Sequence, residues 1–225
     1  MDQPVGLPAV RRIEATAPLG WLAGGWSDLW KAPGPCLAYG LVIALVSFGL
    51  CYGLYVSNAA FWALVLTLGF VFVAPVLAMG PYEAGRRLEQ GERPRLGQIL
   101  FVRPAFRQDV AYLGLALLLI YLFWGRIAQI VFALSTYQLY PTVPEFIQFA
   151  IGTTEGHNMM VAGTLVGGAI AFLTYTLVVV SAPMLLDPRV NVFVATVTSF
   201  RTVAANPGAM LLWAVVIVAL LLFSA

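Results

Sequence analysis

Five stretches of this chain are apolar for about as long as a helix needs to cross a membrane, and this pattern restricts its fold more than any other. A spanning helix needs about 20 apolar residues. The stretches are Pro35 to Val56, Ala59 to Met79, Val110 to Leu134, Met159 to Leu186 and Pro207 to Ala225. Composition agrees: 61% of the 225 residues are hydrophobic, 10% are charged and the mean hydropathy is +0.89. So little charge cannot cover a water-facing surface, since soluble domains carry about 25% charged residues. A net charge of +2 is too small to mark a polyanion partner, so no nucleic acid is expected. The expected fold is all-α, a polytopic transmembrane helical bundle forming one membrane domain over 1–225.

Basic residues set the orientation. Arg11, Arg12 and Lys31 precede the first stretch. Arg86, Arg87, Arg93, Arg95, Arg103 and Arg107 lie between the second and third, and Arg189 and Arg201 between the fourth and fifth. The loop 135–158 has no Lys or Arg. The N-terminal arm, 1–17, is therefore expected in the cytoplasm and the 135–158 loop outside. Within that loop, 144–151 reads as a short interfacial helix, with Tyr137 and Tyr140 as aromatic-belt residues. Ser57-Asn58 reads as a short outer turn.

A repeat runs through the sequence. Residues 18–34 and 190–206 each carry an apolar stripe at helical spacing, and each leads through Pro-Gly into a spanning stretch. A weaker copy, Leu96 to Phe101 followed by Arg103-Pro104, precedes the third stretch. Both strong copies are expected to be interfacial helices on the cytoplasmic face. There Trp21, Trp26 and Trp30 suit the headgroup region and are candidate lipid or partner contacts. Three units of one surface helix and two spans predict six spans. The apolar ending LLLFSA, without a polar flank, raises the same expectation of a further helix after Ala225.

Residues available for chemistry are few. His157 is the one histidine, and no carboxylate lies deep in a span. Cys36 and Cys51 are fifteen residues apart, about 22 Å along a helix, too far to pair with each other. No phosphate-loop, dinucleotide-binding, nucleophile-elbow or zinc-protease motif occurs. No catalytic, cofactor-binding or metal site is expected, and the chain is read as a non-enzyme. Arg126 is the charge within a span. It lies about 26 Å above Asp109, near the outer interface, where Glu145 or Glu155 would pair with it or a lipid or partner would meet it. Gly49 with Gly53, and Gly163 with Gly167, are GxxxG pairs suited to close helix packing, within the chain or against another subunit. In the polar stretch 81–95, Glu83 with Arg87 and Glu89 with Arg93 are i, i+4 pairs.

The segments Val10 to Ile13, Trp21 to Gly40 and Pro75 to Pro94 resemble a bacterial family of predicted integral membrane proteins with a domain of unknown function, and the resemblance is taken to cover the whole chain. It implies about six spans and an inner (cytoplasmic) membrane location. Some members carry labels resembling a cytochrome oxidase subunit, but a haem core is excluded by the missing histidines. The resemblance supplies no catalytic residues. The function expected is a non-catalytic accessory or scaffold subunit of a respiratory or photosynthetic membrane complex, with lipids and other membrane subunits as partners. The alternative is a transporter, channel or lipid-handling protein, and a membrane enzyme comes third.

Overall fold

Backbone groups in hydrocarbon have no water to bond, so a spanning segment must satisfy its own, and a helix does so. The computed structural model describes residues 6–56, 60–136 and 143–224, and every regular element in them is helical. Residues 1–5, Ser57-Asn58, Tyr137, Tyr140 and Ala225 lie outside the described residues.

The five apolar stretches become α2 (Pro33–Val56), α3 (Ala60–Glu89), α5 (Gln108–Ser135), α7 (Thr154–Val178) and α10 (Pro207–Ser224). Between them lie α1 (Ala17–Lys31), α4 (Leu96–Leu100), a 3₁₀ turn (Arg103–Phe106), α6 (Val143–Gly152), α8 (Ser181–Met184) and α9 (Val192–Ala205). Among the described residues, three helices are long and apolar enough to span: α2, α5, and α7 with its continuation to Met184. A fourth span is possible if α9 and α10, bent by 105° at Asn206, count as one. The five-span reading therefore stands at three or four by this measure.

Prolines decide where two helices depart from the expected spans. The fourth stretch does not run unbroken to Leu186. Pro183 lacks an N–H and its ring opposes the preceding turn, so α7 stops at Val178 and α8 follows as a single turn. Ser199 of α9 repairs the break. Its fully buried hydroxyl donates to Thr176 O at 2.6 Å and accepts from Val180 N at 3.2 Å. Conversely, α3 runs through Pro75 and Pro81 to Glu89, about 45 Å in all. Pro81 leaves Leu77 O without its helical donor, and the Tyr39 hydroxyl of α2 donates there at 2.6 Å. At its other end α7 begins five residues early, because Thr153 caps it by accepting from Gly156 N.

The repeat seen in the sequence is visible in backbone geometry. Ala32, between α1 and α2, has φ −138° and ψ 55°; Asn206, between α9 and α10, has φ −133° and ψ 53°. Each residue closes one helix through its own N–H and opens the next through its carbonyl, which accepts from Cys36 N or Met210 N. The weaker copy ends similarly, with Phe101 at φ −117° and ψ 66° after α4. Pro33-Gly34 and Pro207-Gly208 occupy the first two positions of the following helices, where a proline's missing N–H costs nothing.

The principal core lies at the arginine-rich end of the bundle. Met79, Val102, Ala105, Val110, Leu113, Ala182, Leu185, Val190 and Ala195 bring α3, α5, α8 and α9 together there. A smaller cluster, Phe149 and Ala150 of α6 with Met159 of α7, closes the opposite end against Val131 and Phe132.

Candidate functional site

Polar pins hold the arginine-rich end, and one of them forms the roof of a cavity. Before α1, the chain crosses the α9–α10 hinge as a non-helical strap. Asn206 is buried there and every polar atom of its side chain is used. Its Oδ1 accepts from Ile13 N at 2.9 Å, and its Nδ2 donates to Arg11 O at 3.0 Å and Thr202 O at 3.1 Å. The N-terminal arm, read from sequence as a cytoplasmic tail, is thus tied to the bundle from Arg11 to Ile13.

Under this strap lies a cavity of ≈ 810 Å³. Ala9, Val10, Arg11 and Ile13 roof it. Trp21 of α1 and Trp213 of α10 meet edge to face beside it, centroids 5.6 Å apart. Tyr175, Val178, Thr198, Met210 and Ile217 line its walls. The Tyr175 hydroxyl is committed to Met210 O at 2.7 Å. A second cavity of ≈ 530 Å³ lies between α3, α5 and α7, against Tyr121, Trp124 and Gly167. Leu117 and Thr174 line both cavities, so the two spaces adjoin. Among the described residues neither lining contains a histidine, cysteine or carboxylate, and Arg11 is the one charged residue in either.

Two ionic clusters brace the same end. Asp109, in the first turn of α5, accepts from Val192 N at 3.0 Å and from Arg107 Nη2 at 2.7 Å, and Arg107 also donates to Asp187 O and Val190 O. Hydrogen bonds from the Arg189 side chain and backbone hold the Asp187 carboxyl down at about 2. On α3, Glu83 is buried and receives bonds of 2.7 Å from Arg86 and Arg87, and the Arg86 bond is the main reason its carboxyl titrates below the usual range. The expected Glu83–Arg87 pair forms. Among the described residues there is no Glu89–Arg93 pair, because Gly91, at φ 75°, ends the helix before Arg93; Arg87 bonds Glu92 instead.

The other residues singled out in the sequence divide. Trp21 walls the cavity, whereas Trp26 and Trp30 are 63% and 65% exposed and pack edge to face. Arg126 donates to Gln129 one turn on, at 3.2 Å, and no described ion pair links it to Glu145 or Glu155. Gly167 admits the Trp124 ring, which a Cβ would meet at 2.9 Å. A Cβ at Gly49, Gly53 or Gly163 meets no described atom within 4 Å. The tightest glycines are two that the sequence reading passed over. A Cβ at Gly80 would stand 2.6 Å from the Tyr39 ring, and one at Gly156 would stand 2.1 Å from Phe149 O. Their sequence signal was weak: Gly80 precedes Pro81, and Gly156 sits two residues into α7. Asn206 was also passed over, although it directly precedes the Pro-Gly that marked the repeat.

A family model described as "Predicted integral membrane protein (DUF2189)" matches residues 63–187, more than half of the chain. The match includes the segment from Pro75 to Pro94 but not the two N-terminal segments on which the resemblance also rested. No curated protein and no solved structure matches.

Proposed function

We propose a role that starts from a plain fact: the chain belongs to the DUF2189 family of predicted integral membrane proteins and is itself an integral membrane protein. The role is non-catalytic binding of a hydrophobic molecule in the strap-covered cavity, the lipid-handling branch of the functions expected from sequence. One observation carries it. A space of ≈ 810 Å³, lined mainly by apolar and aromatic side chains with few polar groups, has the size and character of a small-molecule site. It sits at the arginine-rich end, where an amphiphile's head would lie near the membrane surface.

The test is photo-crosslinking in the bacterial inner membranes proposed as its home, with a phospholipid bearing a diazirine on its acyl chain. Adducts on peptides containing Thr174, Tyr175, Met210 or Trp213 support the role. Adducts confined to α2 and the outer faces of the other helices refute it.

A scaffold role within a larger membrane complex is the second reading, favoured by one feature. From Ala44 to Leu50, α2 is exposed on every side of the helix. Stoichiometric protein partners recovered after gentle extraction would support that role, with the cytoplasmic N-terminus and outward 135–158 loop setting which faces they meet.

A further inference from the structure

The cavity itself specifies what kind of hydrophobic molecule fits. We infer that the occupant is an amphiphile with an acyl chain and an anionic head, its head at Arg11 and its chain directed along α7; this rests on the role proposed above. Three observations lead there.

The first is length. On α7 the two cavities are lined from Gly167 to Val178, about 17 Å at 1.5 Å per residue, with Leu117 and Thr174 at their junction. A compact ligand would need one of these spaces; a long chain uses both. The second is chemistry along that length. Beside the Tyr82, Tyr121 and Trp124 rings, Val178, Val179, Ile120, Ile170 and Ala171 offer no polar group from their side chains, and the Thr174 hydroxyl is committed to Ile170 O at 2.8 Å. A ligand with polar groups along its body would leave them unpaired, which is costly.

The third is charge. Among the described residues Arg11 is the charged residue of the lining, it forms no ion pair, and no lining carboxylate offsets it. Its position is fixed without using its side chain, because the strap is pinned through Arg11 O and Ile13 N. Arg11 is exposed, with its backbone pinned beside an apolar slot, and an arginine so placed pairs best with a carboxylate or phosphate, which its guanidinium can grip with two parallel bonds. Carboxylate and phosphate heads share this chemistry, and the experiment separates them.

The full chain, purified in mild detergent, is titrated with oleate, 1-oleoyl lysophosphatidate and neutral monoolein, and tryptophan fluorescence is read beside Trp21 and Trp213. At least one anionic ligand is expected to bind about tenfold more tightly than monoolein, consistent with one charge-assisted contact at a partly exposed site. R11Q should remove that difference. R11K should restore part of it. R12Q makes the same change in net charge one residue away, outside the lining, and should have no effect. Whichever of oleate and lysophosphatidate binds more tightly identifies the head. Equal binding of all three ligands, or equal weakening by R11Q and R12Q, overturns the inference and leaves the hydrophobic site standing. Failure of all three to bind overturns the proposed function as well.

Discussion

Replacing Asn206 with alanine should release the N-terminal strap while leaving the bundle folded. The size of the effect follows from the hydrogen bonds. Two of them, Ile13 N to Oδ1 and Nδ2 to Arg11 O, join the strap to the hinge. The third goes to Thr202 O, which also accepts from Asn206 N and keeps that partner. A typical intramolecular hydrogen bond contributes about 0.5–1.5 kcal/mol net, so losing the two strap bonds costs about 1–3 kcal/mol. If the strap opens locally, its opening equilibrium rises by about 5- to 150-fold. Hydrogen–deuterium exchange in detergent or nanodiscs reads this directly. The Ile13 amide should exchange faster by that factor in N206A, while Val203 and Met210 stay protected. N206D keeps the acceptor for Ile13 N, loses the donor to Arg11 O and should fall between the two. Unchanged protection at Ile13 in N206A would refute the pinned strap. Loss of protection throughout α9 and α10 would show that Asn206 holds the bundle rather than the strap.

Other outcomes follow from the same contacts. E83Q keeps the volume but removes the charge that Arg86 and Arg87 share; both arginines are partly exposed, so a loss of about 1–2 kcal/mol is expected rather than the larger cost of a fully buried pair, read as a drop in thermal unfolding temperature in detergent. Because the Glu83 and Asp187 carboxyls are both depressed in the fold, their contribution is present at neutral pH, begins to fall as pH drops below about 4.5 and is lost as pH passes their folded values, about 2 for Asp187; the wild-type chain should therefore lose stability over that acid range, with D187N and E83Q each flattening the loss. G156A should destabilise strongly, since its Cβ would press against the α6 backbone, and G167A should cost about 1–3 kcal/mol through Trp124, whereas G163A should be nearly neutral; unfolding temperatures that rank otherwise contradict the glycine contacts.

Much of the fold was legible because the membrane simplifies the reading. Long apolar runs in lipid must be helical, and all five fold that way. Pro-Gly pairs marked the helix starts, and the repeat they suggested reappears as matched backbone angles at Ala32 and Asn206. Helix ends were harder to place, because they depend on partners distant in sequence. The extension of α3 past Met79 depends on Tyr39 accepting the role of Leu77's missing donor, and the stop at Val178 depends on Ser199. The Glu89–Arg93 pair failed because one glycine, in a left-handed conformation, turned the chain between them. The cavity was not legible at all. Its wall residues, such as Val178 and Ile217, look like any lipid-facing side chains, and its roof is a strap held by backbone groups that any sequence has. Arg11, read as one of several orientation-setting arginines, gains its significance from the Asn206 side chain nearly two hundred residues away.

Native mass spectrometry of the chain, released from its own membranes in mild detergent, tests the central claim most directly. A one-to-one adduct with the mass of a single amphiphile, retained by the wild-type chain and depleted when Thr174→Trp fills the junction of the two cavities, is the result this account predicts. A bare polypeptide mass, or adducts equally abundant in wild type and variant, would contradict it.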